Sequence, residues 1–317
     1  MHQFDEHHRE FHGFSLHYHD AVRPGLLEQE AERRDAVKKA YVVGGIAISI
    51  GAALAVSMVS INGAWALAAL GFSAVAALGA WHFLTDSVRK ATKNMLMQAV
   101  TDYIGWTFTD AVEAVDLDTF RRHFLVPRRH DRHTFEDRIA GDVHDAAFES
   151  VEVHLEKRHT DSKGRTSYTT LFRGQLMRID FPTRTFGRTV VLRDKGLFNR
   201  KARADMKRVG LSSPRFEKLF EAYGTDQVEA RVILDPAFMQ RILDLEAAVS
   251  GKNIRFAFAD NELLIAVETK NQFEAGSMRQ SLDNPAAVQR ILDEVGTLYD
   301  IVDGLVQPAT RTTSQAR

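Results

Sequence analysis

The chain has 317 residues, 41 lysines and arginines against 42 aspartates and glutamates, and a formal net charge of −1, an average that resembles an ordinary soluble protein. It has no cysteine, so disulfides, thiolate catalysis and cysteine-based zinc or iron–sulfur sites are excluded. The average hides the distribution: between Tyr41 and Leu84 there is no Asp, Glu, Lys or Arg.

Residues 1–39 form a histidine-rich, charged segment. His2, His7, His8, His12, His17 and His19 lie among Phe4, Phe11, Phe14 and Tyr18. A metal-binding tract is one reading. Against it, His7 and His8 are adjacent and no i, i+4 carboxylate–histidine framework repeats, so the segment's order and metal binding stay open. From residue 26 to 40, Glu28, Glu30 and Glu32 precede Arg33, Arg34, Lys38 and Lys39. Acid first and base last suits the macrodipole of a helix that leads into the next element.

The apolar run is broken at Ile61-Asn62-Gly63 into residues 40–60 and 64–84. At about 1.5 Å per residue each gives a helix of roughly 31 Å, the thickness of a hydrocarbon core of about 30 Å. A transmembrane hairpin over residues 40–84 is expected. A cleaved signal peptide would need a shorter apolar core nearer the start; a buried soluble hairpin is the other alternative. Arg33, Arg34, Lys38 and Lys39 precede the first span and Arg89, Lys90 and Lys93 follow the second, so both termini are expected in the cytoplasm. Tyr41, Trp65 and Trp81 mark the span ends. Small residues form two stripes, Gly45, Ser49, Ala53 and Ser57 on one span and Ala69, Ser73 and Ala77 on the other. They predict close hairpin packing, with a homo-oligomer as the further option. Apart from His82 the spans carry no acidic or basic residue, which argues against a transporter.

Beyond residue 85 over 200 residues remain, enough for real cores. Val88, Thr92, Met95, Leu96, Ala99, Val100 and Tyr103 continue the helix with an apolar face, and Gly105 stops it. A second helix is expected over residues 110–123. Then the period becomes two: Val151, Val153 and Leu155 alternate with Glu152, His154 and Glu156, a half-buried strand whose polar set faces outward. Asp161-Ser162-Lys163-Gly164 is a turn, residues 168–181 and 189–193 are further strands, and an antiparallel meander is the natural topology. Asp235 and Pro236 open a helix over residues 236–249. Ile254, Phe256 and Phe258, then Leu263, Ile265 and Val267, form a hairpin around Asp260-Asn261. A last helix starts at Asn284-Pro285, and the chain is expected to fray over residues 308–317.

The run Pro214-Arg215-Phe216-Glu217-Lys218-Leu219-Phe220, with Tyr223, Asp226-Gln227-Val228-Glu229-Ala230-Arg231, Leu234-Asp235-Pro236, Phe238-Met239 and Leu243, resembles a bacterial membrane-protein family known as domain of unknown function 3137. The resemblance covers most of residues 35–280. It implies a two-span hairpin followed by a cytoplasmic α+β domain and carries no reaction, cofactor or catalytic residue. Asp226, Glu229, Arg231 and Asp235 are read as helix caps and an internal ion pair rather than as a site.

No phosphate loop, GxGxxG, GxSxG or HExxH occurs. The strongest enzymatic lead is a pair of His-Asp dipeptides, His130-Asp131 and His144-Asp145, with His123, His133 and Asp142 nearby, as in metal-dependent phosphohydrolases. That reading requires these side chains to converge on one point. Charge is more telling. Arg121, Arg122, Arg128, Arg129 and Arg132 form one basic cluster, and Arg200, Lys201 and Arg203 sit within a second that runs from Arg184 to Arg208. Tethered at a leaflet, such residues suit anionic lipid, each worth about 1 kcal/mol near the surface. Phe186 and Phe198 are too few for base stacking, so nucleic acid is not expected as a partner.

The sequence thus predicts an α+β protein: a two-span transmembrane helical hairpin followed by a cytoplasmic domain, residues 85–307, with antiparallel strands and packing helices. It is expected in a bacterial inner membrane as a binding or scaffolding protein with a protein partner and no cofactor, the alternative being a membrane-tethered hydrolase.

Overall fold

The computed structural model describes residues 2–6, 8–180, 187–194, 205–248, 253–269, 278 and 280–306. They form two compact units, one of residues 1–104 and 273–293, the other of residues 105–272 and 294–317.

The first unit is helical. A turn at Arg9–Phe11 leads through α1, Phe14–His17, and a π-helical turn, Tyr18–Val22, into α2, Arg23–Val59, which a turn joins to α3, Gly63–Tyr103. At about 1.5 Å per residue α2 and α3 run roughly 55 and 60 Å, well beyond a hydrocarbon core of about 30 Å. Asn62 ends the turn by accepting from the Ala64 N–H at 2.8 Å, an N-cap for α3. The two helices meet through small residues. Gly44 lies against Ala77, and a Cβ at Gly51 would come within 2.3 Å of the Ser73 side chain.

This places the stripe on α3 in the interface as expected, but on α2 the contact runs through Ala40, Gly44, Gly51 and Ala55. Gly45, Ser49, Ala53 and Ser57 face outward instead. A strict four-residue repeat drifts around a helix of 3.6 residues per turn, whereas steps of seven and four keep one face toward a neighbour.

The aromatic residues among the N-terminal histidines pack into this unit. Phe4, Phe11, Phe14, Tyr18, Val22 and Leu26 are buried. Phe14 meets the Tyr103 ring edge-on at 5.3 Å, and Phe4 meets Tyr18 at 4.9 Å. From Phe11 onward the spacing is three or four residues, a helical stripe that docks, while His2 and His12 stay exposed.

Glu30 is the polar centre of this unit. Its carboxylate accepts from Arg33 Nε and Nη2 at 2.8 Å each, from Arg34 Nε at 2.9 Å and from the Leu282 N–H at 3.1 Å, while Arg33 Nη1 donates to the Met278 carbonyl at 2.5 Å. The Arg33 bonds, above all, hold the Glu30 carboxyl down at about 2 despite burial. Beside it Tyr18 Oη donates to Asp283 at 2.6 Å and Arg23 donates twice to the same carboxylate. Burial pushes Asp283 up, but the Arg23 and Tyr18 bonds outweigh it and leave it lowered.

The second unit is built on a sheet. Its strands are β1 Thr107–Ala111, β2 Arg132–Val143, β3 Ala146–Thr160, β4 Thr166–Asp180, β5 Thr189–Arg193, β6 Lys207–Val209, β7 Phe220–Gly224, β8 Arg255–Ala259 and β9 Glu262–Glu268. Their order among the described residues is β1-β2-β3-β4-β9-β8-β5-β7-β6, with antiparallel pairing throughout. The expected meander holds for β3 and β4, with the unexpected β1 and β2 extending it on one side, and breaks before β5, because the β8–β9 hairpin inserts next to β4. Asp260 and Asn261 take φ of +55° and +63°, the two left-handed positions of a tight hairpin turn.

The helix expected over residues 110–123 is shorter. Asp110 and Ala111 close β1, and α4 covers only Leu117–Arg122, started by Asp116, whose side chain accepts from the Thr119 N–H at 3.2 Å. Three further helices, α5 Pro214–Leu219, α6 Gln227–Ile233 and α7 Pro236–Ala248, and the long α8, Pro285–Val306, complete the order. Asp226 caps α6 and Asp235 caps α7, as the family-like run suggested. Residue 249 and the tail from 308 lie outside the described residues.

Both sheet faces carry core. One presents Val151, Val153, Leu155, Leu176, Val190, Ala257 and Leu264 to Leu117, Phe120, Leu125 and Val126. On the other, Phe220 meets Phe256 at 6.4 Å and Phe238 of α7 meets Phe258 at 5.5 Å.

Candidate functional site

The second face does not stay apolar. Cross-strand register places Glu152 beside Glu136 and Gln175, and His154 beside Thr134 and Arg173. Residues opposite one another share a face, so toward β2–β4 this side of the sheet becomes charged. Glu152 and Glu156 are only 6% and 7% exposed, although the alternation of β3 predicts them outward. Irregularities between Glu136 and Ile139 and between Leu155 and Glu156 flank the patch and re-aim its side chains. At its edge Gly174 takes φ +154°, and a Cβ there would lie 1.9 Å from the Val267 carbonyl oxygen.

Thr134, Glu136, Glu152, His154 and Arg173 line a cleft of about 190 Å³. His154 Nε2 contacts Thr170 Oγ1 at 2.9 Å, and burial lowers its pKa against the pull of Glu156. Next along β2, Arg132 is bonded to Glu156 at 2.5 Å and lies 4.3 Å from the Tyr168 ring.

The first basic cluster adjoins this patch and divides in two. Arg121 turns inward, donating to Asp118 Oδ1 and His130 Nδ1 at 2.7 Å each, and Arg122 donates to Thr119 Oγ1 at 2.7 Å. Because arginine only donates, His130 Nδ1 accepts, and its Nε2–H is left to donate to His133 Nδ1 at 3.1 Å. Burial, then the Arg121 charge, lowers the His130 pKa and keeps that ring neutral. Arg128 and Arg129 are exposed, Arg128 lying 5.8 Å over the Phe124 ring, and Arg132 opens β2. Arg200, Lys201 and Arg203 lie outside the described residues.

The histidine–aspartate dipeptides do not converge. His144 and Asp145 have φ of +51° and +62° and form the two-residue turn between β2 and β3, a conformation that aspartate tolerates. His144 Nε2 is paired with Asp303 at 2.6 Å. His133 and Asp142 stand near opposite ends of β2, roughly 30 Å apart at about 3.4 Å per residue. The ring of His123 is buried and held at 2.7 Å from the Thr119 carbonyl oxygen. Among the described residues no group of three or more His, Asp or Glu could hold a metal ion, so the convergence a metal-dependent hydrolase needs is not met.

Residues 170–306 match the model of a family described as "Protein of unknown function (DUF3137)", which supports the family identified from the run between residues 214 and 243. The match starts at β4 and runs through α8, later in the chain than the expected 35–280. No curated protein matches the chain. One solved structure, "crystal structure of the mycobacterial trehalose monomycolate transport factor A, TtfA", is 15% identical, with 67% of this chain and 96% of that one covered and a TM-score of 0.35. That likeness is too slight to carry an argument.

Proposed function

We propose that this chain is a membrane-anchored binding or scaffolding protein of the bacterial inner membrane, with a lipid-spanning hairpin over residues 40–84, cytoplasmic termini and a cytoplasmic domain whose basic surface meets anionic lipid. Its further partner is a protein, and the outward stripe of Gly45, Ser49, Ala53 and Ser57 leaves room for a second copy. The observation that carries the reading is the nakedness of the hairpin. Val56, Phe72 and Phe83 are 77%, 78% and 84% exposed, with Ile46, Ile50, Leu67, Val75 and Leu78 also open. Burying each such side chain is worth about 1.5–3 kcal/mol, so water is a poor surrounding for them and a bilayer a good one.

Two details support the membrane register. Tyr41 and Trp81 pack edge-on at 5.3 Å at one end of the apolar stretch, and Trp65 stands exposed at the other, as an aromatic belt requires. Basic residues flank only the Tyr41–Trp81 end, which favours that end as cytoplasmic. The His-Asp dipeptides serve turn and packing geometry, which favours binding over hydrolysis.

The lipid contact is tested on the full-length protein in nanodiscs, with a fluorophore on a cysteine replacing Arg129, unique because the chain has no other thiol. Headgroup-linked quencher should dim it in phosphatidylglycerol-containing discs and not in pure phosphatidylcholine. Equal signals in both would remove the lipid contact.

A further inference from the structure

The longest exposed feature of the second unit is a two-stranded arm. β2 stops pairing with β3 at Arg132–Glu156, while β3 and β4 run on together from Lys157–Thr169 to Thr160–Thr166 around the turn at Asp161. Every residue from 157 to 170 is exposed. Four further residues at about 3.4 Å each carry the ribbon roughly 14 Å past the end of β2. Such a ribbon buries almost nothing of its own and is marginal without something to lie against.

Its chemistry is one-sided. Lys157, Arg158, Lys163 and Arg165 lie on it, and Asp161 is its one acid. Two Asp161 oxygen contacts go to the turn's own N–H groups, Lys163 at 2.9 Å and Arg165 at 2.8 Å. At the base, the Asp131 N–H bonds to the Glu156 carbonyl and the Arg158 N–H to the Asp131 side chain, each at 2.8 Å, so the exposed Arg128, Arg129 and Arg132 continue the same surface. Thr160, Ser162, Thr166, Ser167 and Thr169 interleave the charges with hydroxyls. Cations beside hydroxyl donors are the recognition set for phosphodiester oxygens.

We infer that this arm is the element that docks the second unit on phosphate headgroups of an anionic leaflet, a role expected from the sequence for Arg121–Arg132 and Arg200–Arg203 instead. The inference rests on the membrane reading above. Lipid is favoured over nucleic acid because the same chain carries two helices long and apolar enough to cross a bilayer. In addition, the arm carries a single Phe, Tyr or Trp, Tyr168, one face of which the Arg132 guanidinium already occupies, too little for a platform on which successive bases stack.

The test compares two single-cysteine proteins, full length and in nanodiscs: the Arg129→Cys protein and one with Ser162→Cys at the arm's tip. With phosphatidylglycerol present, quenching at residue 162 should be strong. It should vanish in phosphatidylcholine and at about 1 M salt, where the Debye length falls to about 3 Å. It should fall at least about tenfold in apparent lipid affinity when Lys157, Arg158, Lys163 and Arg165 become glutamine, each charge being worth about a factor of five. The salt series on the otherwise unaltered protein keeps the test independent of how that variant folds. Quenching at 129 but not 162 overturns the arm and leaves the lipid reading standing; quenching at neither removes both. Salt-insensitive quenching, or arm-dependent binding of a random DNA duplex in phosphatidylcholine discs without lipid contact, also overturns the arm.

Discussion

The two units use buried charge in opposite ways. In the first, Glu30 accepts four hydrogen bonds and its main partner Arg33 reaches a backbone carbonyl, so the charges are locked between α2 and the backbone of Met278 and Leu282. In the second, Glu152, Glu156 and His154 lie on a sheet face that opens toward a cleft and an exposed basic arm. Enclosed charge of the first kind ties helices together; in the second unit buried Glu156 is held instead by Arg132, an exposed residue at the base of the arm.

The comparison is easiest to break at Glu30. Glu30→Ala leaves Arg33 buried without its carboxylate and should cost about 3–5 kcal/mol, seen as lost hydrogen-exchange protection over residues 13–35 with the β-sheet amides unchanged. Replacing Arg33 by methionine in that variant should recover part of the loss. A change spread evenly over both units would show that the pair does not belong to the first alone. Next in size, Gly174→Ala should destabilise the second unit by at least about 2 kcal/mol, read as faster exchange in β4 and β9.

Acid should separate the units without mutation. Burial first of all lowers His123, His130 and His154 from an ordinary 6.5. The unfolded chain therefore binds protons there before the folded one, and stability contributed at neutral pH is lost as pH falls through about 6.5. In the first unit Glu30 is lowered from 4.5 to about 2 and Asp283 lies below its ordinary 3.8, so that contribution persists until pH falls below 4.5. Thermal scans from pH 7.5 to 5 should move the second unit's transition down and leave the first in place; parallel movement would contradict the assignment. The smallest effect belongs to Arg128→Gln and Arg129→Gln, exposed residues whose loss should change stability by no more than about 0.5 kcal/mol, checked in the same scans.

The hairpin, the β8–β9 turn and the helix starts at Asp235 and Asn284 were legible because each is decided by a few neighbouring residues. β1 and β2 were not. Arg132–Val143 is rich in charge and carries an irregularity after Glu136, which breaks the period-two pattern that reveals a strand. His144-Asp145 looked like chemistry because a dipeptide shows composition and not φ. On α2, spacing identified small residues but not which row faces α3, a choice set by the partner helix. The charged cleft escaped for a related reason: alternation tells which residues share a face of β3, while only the neighbours of that face decide whether Glu152 meets water.

The most direct measurement is the accessibility of single cysteines placed at Ile61 and Ser162 in the full-length protein, probed on intact cells with a membrane-impermeant maleimide. The account predicts labelling at residue 61 in intact cells and at residue 162 only after permeabilisation. Labelling of residue 162 from outside, or of neither until the cells are opened, would contradict a hairpin that crosses the membrane and returns with both termini on the inner side.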